Sequence, residues 1–206
     1  MVKYCVKCIY SEIPSKTLSL HEKEVVFMEN DDLRYSFMIV EGLVKVSKIT
    51  LNGEEKIFDI FGPNDFLGLV SMLRQDDKYI ATATCLTDVK LKLLRKDDVL
   101  NAYKSNNKFK DICLSCAMTR TNLFQSQLFN TSNNDIEERI LLILEFLSKK
   151  FGEQDNHIYI LKLPFSKSTL ANIIGIRRET LSRKLAAMQK MGTIEIDKNI
   201  YKFNRM

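Results

Sequence analysis

Residues 166–192 constrain the fold of this chain most, because one glycine, Gly175, separates two short stretches of helical pattern there. Ser166 is a favourable N-cap residue, and the apolar residues after it recur at helical spacing (Leu170, Ile173 and Ile174). A first helix is therefore expected over 167–174. A second helix is expected from about Arg177, with a buried stripe of Leu181, Leu185 and Met188. Two short helices joined by a glycine turn predict a helix-turn-helix.

The outward face of the second helix carries polar and charged side chains in its first two turns: Arg178, Glu179, Ser182 and Arg183. Arginine can bond guanine O6 and N7 together, and glutamate can accept from the cytosine N4 amine. This face is therefore suited to reading a half-site that contains G·C pairs. Arg-Glu pairs also occur on ordinary solvated helix faces, so the wider charge distribution is needed to choose between the two interpretations.

The charge distribution favours a nucleic-acid partner. Residues 166–206 contain nine Lys and Arg against three acidic residues, while the whole chain has a net charge of only +5. A basic module attached to a nearly neutral remainder is typical of a protein that binds double-stranded DNA. In the same region, 192–196 and 200–203 alternate around a turn at 197–199, which predicts the hairpin of a winged helix.

The run Gly175-Ile-Arg-Arg-Glu-Thr-Leu-Ser-Arg183 resembles the signature of the cyclic-AMP receptor / fumarate-nitrate reduction regulator (Crp/Fnr) family, whose recognition helix carries Arg-Glu-Thr-x-x-Arg. By this resemblance Arg178, Glu179 and Arg183 read bases in a TGTGA-like half-site, and Lys167 contacts a phosphate. In the anaerobic-regulator branch the position of Arg178 is usually apolar. The full set of expected DNA-binding residues is Lys167, Arg177, Arg178, Glu179, Ser182 and Arg183.

The chain from about Leu18 to Lys92 alternates apolar and polar residues in short runs separated by turn residues, of which Asn52-Gly53 has hairpin composition. Many short strands at this spacing predict a sandwich or jelly roll. The runs 38–46 and 61–68 also resemble the glycine turns of the family's effector domain. The expected fold class is therefore α+β, with an N-terminal cyclic-nucleotide-binding-like jelly roll (a double-stranded β-helix), a long dimerisation helix and a C-terminal winged helix-turn-helix.

A long amphipathic helix is expected over 107–129, with a stripe that Arg120 and Gln127 interrupt (Phe109, Ile112, Cys116, Thr119 and Leu123, flanked by Phe124 and Leu128). One half-site of about five base pairs discriminates poorly, and a two-fold dimer reads it twice, so a homodimer is expected. The family resemblance also implies that this is the dimerisation helix. The polar segment 130–135 is a hinge candidate. The expected domains are 1–106 (sensor), 107–134 (dimerisation helix and hinge) and 135–206 (DNA binding).

Family members that bind cyclic AMP hold its phosphate and ribose with a Gly-Glu turn and an Arg-Ser pair. The corresponding positions here are Leu69 after Gly68, and Tyr79 with Ile80. A buried anion needs a paired cation, so no cyclic-nucleotide site is expected, and these three side chains are expected to fill the sandwich core. An alternative is that another small molecule binds in the jelly roll near Tyr79 and Thr82.

Two C-x-x-C pairs are present, Cys5 with Cys8 and Cys113 with Cys116. Four thiols can hold an iron–sulfur cluster or zinc, can form a disulfide, or can be inert, and the spacing leaves these possibilities open. The anaerobic regulators resemble this chain in carrying N-terminal cluster cysteines, but their N-terminal set has three. The lactic-acid-bacterial regulators resemble it in a thiol–disulfide switch, which here would join Cys5 to Cys113 or Cys116. Cys85 is expected to be a small buried residue.

No apolar run approaches the roughly 20 residues that span a bilayer, and the first residues lack the layout of a secretory signal. A cytoplasmic protein without a membrane partner is expected. An enzyme is not expected, because a metal-dependent barrel needs a histidine cluster and His21 and His157 are far apart. If the protein activates transcription, RNA polymerase is a further expected partner.

Overall fold

The structure is a computed structural model that describes residues 13–132, 135–155 and 158–204. The chain forms two compact units. The first runs to Ile49 and continues over Ile57–Phe124, and the second contains Thr50–Lys56 and the chain from Gln125 onward. Within the described ranges, no helix is long and apolar enough to cross a membrane.

The predicted jelly roll is confirmed. Its strands are β1 (Ser15–Leu20), β2 (Val25–Phe27), β3 (Tyr35–Glu41), β4 (Val44–Ile49), β5 (Glu55–Phe61), β6 (Phe66–Leu67), β7 (Thr82–Cys85) and β8 (Val89–Arg95). They form two four-stranded sheets, in the orders β1-β8-β3-β6 and β2-β7-β4-β5.

Strand β3 lies near the centre of the first sheet and does not follow simple alternation. Phe37, Met38 and Ile39 are all buried. The hydroxyl of Ser36, also buried, donates to the Leu67 carbonyl at 3.0 Å, so its polar atom is satisfied inside the core. The turn after β3 requires glycine: Gly42 has φ +85°, and a Cβ there would lie 2.2 Å from the carbonyl oxygen of Asp88.

Among the described residues, the helices that accompany the jelly roll are α1 (Leu69–Leu73), α2 (Lys96–Ser105) and α3 (Asn107–Ser132). Helix α3 packs Phe109, Ile112 and Cys113 into the jelly-roll core. The predicted stripe is wrong at Thr119, which is exposed, because spacings of three and four fit more than one line along a helix. The side chains of Leu123, Phe124, Gln127 and Leu128 lie outside the described residues.

After the end of α3, the described residues of the second unit form α4 (Ile136–Phe151), β9 (Glu153–Asp155), β10 (Ile158–Lys162), α5 (Lys167–Ile174), α6 (Arg178–Lys190), β11 (Ile194–Asp197) and β12 (Ile200–Asn204). The strands make a four-stranded sheet of order β11-β12-β10-β9. Asp135 caps α4 by accepting from the Glu137 amide at 2.8 Å, as predicted. Helix α3 includes 130–132, the first half of the predicted hinge segment, and residues 133–134 lie outside the described ranges, so the hinge stays a prediction.

Candidate nucleic-acid interface

Helix α5 begins as the sequence predicts. The Ser166 hydroxyl accepts from the Thr169 amide at 3.1 Å, which satisfies one of the free donors of the first turn. Lys167 is the first helical residue and is exposed. Farther along α5, Leu170 and Ile174 are buried as predicted, but Ala171 rather than Ile173 completes the buried set.

The turn between the two helices depends on Gly175. This residue has φ +77° and ψ +37°, a left-handed conformation that costs a glycine little and other residues more. Its amide and that of Ile176 both bond the Ala171 carbonyl, at 2.9 and 3.0 Å. The predicted break is confirmed, and the chain enters α6 one residue after the predicted start, with Arg177 as an extended N-cap.

Helix α6 has one buried and one exposed face, as predicted. Leu181, Leu185 and Met188 are buried. The residues expected to bind DNA are exposed, and within the described part of the chain no side-chain hydrogen bond or ion pair engages them (Arg177, Arg178, Glu179, Ser182 and Arg183). These side chains need break no contact within the described part of the protein to bond a ligand, so this face is accessible to a charged partner.

Helix α4 makes two polar contacts with the helix-turn-helix that sequence reasoning missed. The Arg139 guanidinium donates through Nη2 to the Ile174 carbonyl at the end of α5. The Lys184 ammonium of α6 bonds the Glu137 carboxylate at 2.8 Å, and both side chains are about one-third exposed (33% and 31%). These partners are 35 and 47 residues apart in sequence, so no local spacing rule identifies them.

The predicted wing is confirmed as the β11–β12 hairpin, in which Asp197 pairs with Ile200 around a two-residue turn. Lys198 sits at the tip with φ +54° and is exposed. The side-chain amide of Asn199 donates to the Leu163 carbonyl at 2.9 Å, so the turn is bonded to the segment before α5.

Inside the jelly roll, Gly68, Leu69, Tyr79 and Ile80 are among the residues that line a cavity of about 180 Å³. Tyr79 stacks on Phe27 with ring centroids 3.8 Å apart, and its hydroxyl donates to the Tyr35 carbonyl at 2.6 Å. Burial raises the pKa of Tyr79 to about 12. Leu69 and Tyr79 fill the core as predicted, but the prediction is wrong for Ile80, which is 53% exposed.

Arg120 of α3 also lines this cavity, and sequence reasoning treated it only as an interruption of an apolar stripe. Its Nη2 donates to the Phe66 carbonyl at 2.8 Å, and its guanidinium carbon lies 4.1 Å from the Phe61 ring centroid. Burial lowers the pKa of Arg120. A single arginine on an otherwise apolar helix face was the available signal for such a contact.

Of the four cysteines predicted to form a redox or metal site, Cys5 and Cys8 lie outside the described residues. Cys113 is 2% exposed within the jelly-roll core, and burial raises its pKa to about 12. Cys116 is partly buried, and burial raises its pKa as well. Cys85 is buried as predicted. Across the described ranges, no group of three or more His, Cys, Asp or Glu side chains is placed to hold a metal ion.

Two protein-family models match the chain: a cyclic nucleotide-binding domain over residues 17–106 and a Crp-like helix-turn-helix domain over residues 138–204. The CRP-like cAMP-activated global transcriptional regulator of Mycobacterium tuberculosis is 23% identical over 172 residues, covering 84% of this chain and 76% of its own. The anaerobic regulatory protein of Bacillus subtilis is 21% identical over 174 residues, covering 84% and 73%.

Solved structures share the fold. FixK2 from Bradyrhizobium japonicum superposes with a TM-score of 0.81 at 16% identity, and 94% of each chain is covered. A CooA variant from Carboxydothermus hydrogenoformans gives a TM-score of 0.78 at 15% identity, with 100% of this chain and 88% of that one covered. With both family models in sequence order and regulators among the relatives, the chain belongs to the Crp/Fnr family of DNA-binding transcription regulators, which are not enzymes.

Proposed function

We propose that this protein is a homodimer that reads a TGTGA-like palindromic site through α6. Arg178, Glu179 and Arg183 contact base edges in the major groove. Lys167, Arg177 and Ser182 contribute the contacts around them, with Lys167 on a phosphate. The observation that carries the proposal is the exposed, unpaired polar face at the start of α6, beside a buried stripe that fixes which way it points.

The spacing of these side chains suits a short half-site. Glu179 and Arg183 are four residues apart, so they lie on the same face of the helix. The rise from Arg178 to Arg183 is about 7.5 Å at roughly 1.5 Å per residue. Base pairs are stacked about 3.4 Å apart along each strand, so these side chains reach about three successive pairs.

An exposed apolar pair on α3 supports dimerisation. Leu114 and Met118 are 61% and 58% exposed, four residues apart on one face, and Thr121 and Gln125 continue that line. A line with alternating spacings of four and three is the pattern by which two helices pack along a seam. The two-fold axis of such a dimer presents two recognition helices to half-sites about one helical turn apart.

We infer that the signal is not a cyclic nucleotide, since Leu69 and Tyr79 pack where relatives place a Glu and an Arg. Thiol chemistry is the favoured signal, either as a disulfide that an oxidant forms between Cys116 and Cys5 or Cys8 by removing two electrons and two protons, or as an iron–sulfur cluster, which would need all four thiols. Cys113 is the weaker partner because its thiol is buried in the core, and a thiolate is the reactive form. The cysteines lie on or before the proposed dimer helix, so their oxidation would change how that helix presents the two recognition helices.

A second candidate signal is a small molecule in the jelly-roll cavity. It is favoured by the 180 Å³ volume and by Arg120, which ties α3 to the cavity wall. A ligand that displaces this guanidinium from the Phe66 carbonyl would act on the same helix. In either form we place the regulator in the cytoplasm, and as an activator it would also contact RNA polymerase.

The DNA assignment is tested by fluorescence anisotropy on a palindromic TGTGA duplex and a scrambled duplex. Arg178→Ala and Arg183→Ala are each expected to cost about 1–3 kcal/mol on the palindrome and much less on the scrambled duplex. Lys167→Ala is expected to weaken binding to both duplexes alike and to reduce the slope of log affinity against log salt concentration by about one.

Lys90→Ala is the matched control, because Lys90 is an exposed cation of the jelly roll. Its affinities are expected to equal those of the wild type. Equal losses on both duplexes for the two arginine variants would refute the assignment of Arg178 and Arg183 to base reading.

A further inference from the structure

The first turn of α4 contacts both helices of the helix-turn-helix. Arg139 donates to the carbonyl of Ile174, the last residue of α5. The last carbonyls of a helix have no partner within the helix and carry partial negative charge, so a guanidinium there is a favourable cap. The guanidinium also lies 3.4 Å from where a Cβ on Gly175 would be, so it is packed against the turn that leads into α6.

The second contact reaches the middle of α6. Glu137 of α4 accepts from Lys184 at 2.8 Å, and Lys184 directly follows Arg183. This ion pair is about two-thirds buried on both sides (33% and 31% exposed), which distinguishes it from the exposed pairs elsewhere on the surface. One turn of α4 therefore contacts the chain just before α6 and again at Lys184, the seventh residue of α6.

We propose that Arg139 and Glu137 are positioning residues for DNA recognition: they do not touch DNA, but they set the rotation of α6 about its own axis. This inference rests on the proposed function. The buried stripe of Leu181, Leu185 and Met188 keeps α6 on the core, but apolar contact is non-directional and permits small rotations. Hydrogen bonds are directional, so the two contacts from α4 select one rotation.

A small rotation of α6 about its axis displaces the ends of the side chains proposed to contact bases. A helix with its side chains has a radius of roughly 5–6 Å, so a rotation of about 10° moves a side-chain tip by about 1 Å. Base-edge hydrogen bonds work over a donor–acceptor range of roughly 0.5 Å. Contacts to phosphate depend less on direction, because charge attraction falls off gradually with distance. Loss of the α4 contacts should therefore reduce specific binding more than non-specific binding.

The test compares the affinity for the duplex that the wild type selects from a random pool with the affinity for a scrambled duplex, using the full chain well below each variant's melting temperature. Arg139→Met removes the donor and keeps the side-chain length, and is expected to lower the specific affinity about tenfold and the non-specific affinity less than twofold. Arg139→Lys, which can still donate to the Ile174 carbonyl, is expected to recover most of the loss.

Glu137→Ala and Lys184→Met are measured singly and together. If Glu137 and Lys184 act only through their ion pair, the double variant has about the same ratio of specific to non-specific affinity as Glu137→Ala alone. Lys149→Met is the matched control, since it breaks an ion pair of comparable length, 2.7 Å, between two residues of α4 itself, Lys149 and Glu145. Its ratio is expected to be that of the wild type.

An unchanged ratio in Arg139→Met, with only the melting temperature lowered, would overturn the inference and leave a purely structural role. Arg178→Ala run in parallel reports separately on the proposed function. If Arg178→Ala loses specificity and Arg139→Met does not, base reading by Arg178 is supported and the positioning role of Arg139 is refuted. If Arg139→Met loses specificity and Arg178→Ala does not, the positioning role stands and the assignment of Arg178 fails.

Discussion

Substitution of Gly175 by alanine tests the local physics of the helix-turn-helix. The residue holds φ +77°, and the left-handed region costs an L-amino acid about 1–2 kcal/mol relative to glycine. The nearest atom to the new methyl group is Arg139 Nη2 at 3.4 Å, an ordinary contact distance, so no clash adds to this cost. The expected destabilisation is therefore about 1–2 kcal/mol, a factor of roughly 5–30 in the folded-to-unfolded ratio.

Gly192 supplies the matched control, because it has nearly the same φ of +75° and a methyl group added to it would meet no atom within 4 Å. Gly192→Ala should destabilise by the same about 1–2 kcal/mol. Urea titration followed by circular dichroism gives both values. Only Gly175→Ala changes the turn between Arg139 and α6, so it alone should also lower the specific-to-non-specific ratio for DNA.

Two outcomes would contradict this role of Gly175. A loss below about 0.3 kcal/mol in Gly175→Ala, with the full loss in Gly192→Ala, would show that the turn does not hold the left-handed conformation. An equal fall of the DNA ratio in both variants would show that general destabilisation, and not the turn, affects recognition.

Calorimetry with cyclic AMP and cyclic GMP up to millimolar concentration should give no saturable heat; a micromolar site would contradict the cavity chemistry described above. DNA affinity of the wild type should differ between reduced, oxidised and iron-reconstituted preparations, and the double variant Cys5→Ser/Cys8→Ser should remove the difference; one affinity in all six preparations would show that these cysteines carry no signal. Leu114→Lys/Met118→Lys should halve the mass in sedimentation equilibrium without unfolding the jelly roll, whereas Ser115→Lys, exposed on a neighbouring line of α3, should stay dimeric; an unchanged mass for the double variant would rule out that seam.

The helix-turn-helix was predictable because its signals are local. Ser166 caps the helix that follows it, and Gly175 ends the same helix nine residues later. Leu181 and Leu185 show one buried face at helical spacing. Each signal acts within a few residues, so tertiary context had little opportunity to override it.

The contacts that were missed are long-range. Arg120 bonds a carbonyl 54 residues away, and Lys184 pairs with a carboxylate 47 residues away. Such pairs leave no periodic pattern in one sequence. Ile80 was misplaced for a related reason: it lies before strand β7, where period two no longer sets the direction of a side chain. Thr119 shows that a stripe read from three- and four-residue spacings can drift off the buried face of a long helix.

Selection of duplexes from a random pool, with the wild type and with Arg178→Ala, determines whether α6 reads DNA as half of a two-fold pair. For the wild type we expect an enriched inverted repeat of TGTGA-like half-sites with centres about one helical turn, roughly 10 base pairs, apart. For Arg178→Ala we expect the same spacing with base preference relaxed at one position in each half. Enrichment without two-fold symmetry, or identical enriched sequences for both proteins, would show that α6 does not read DNA in this way.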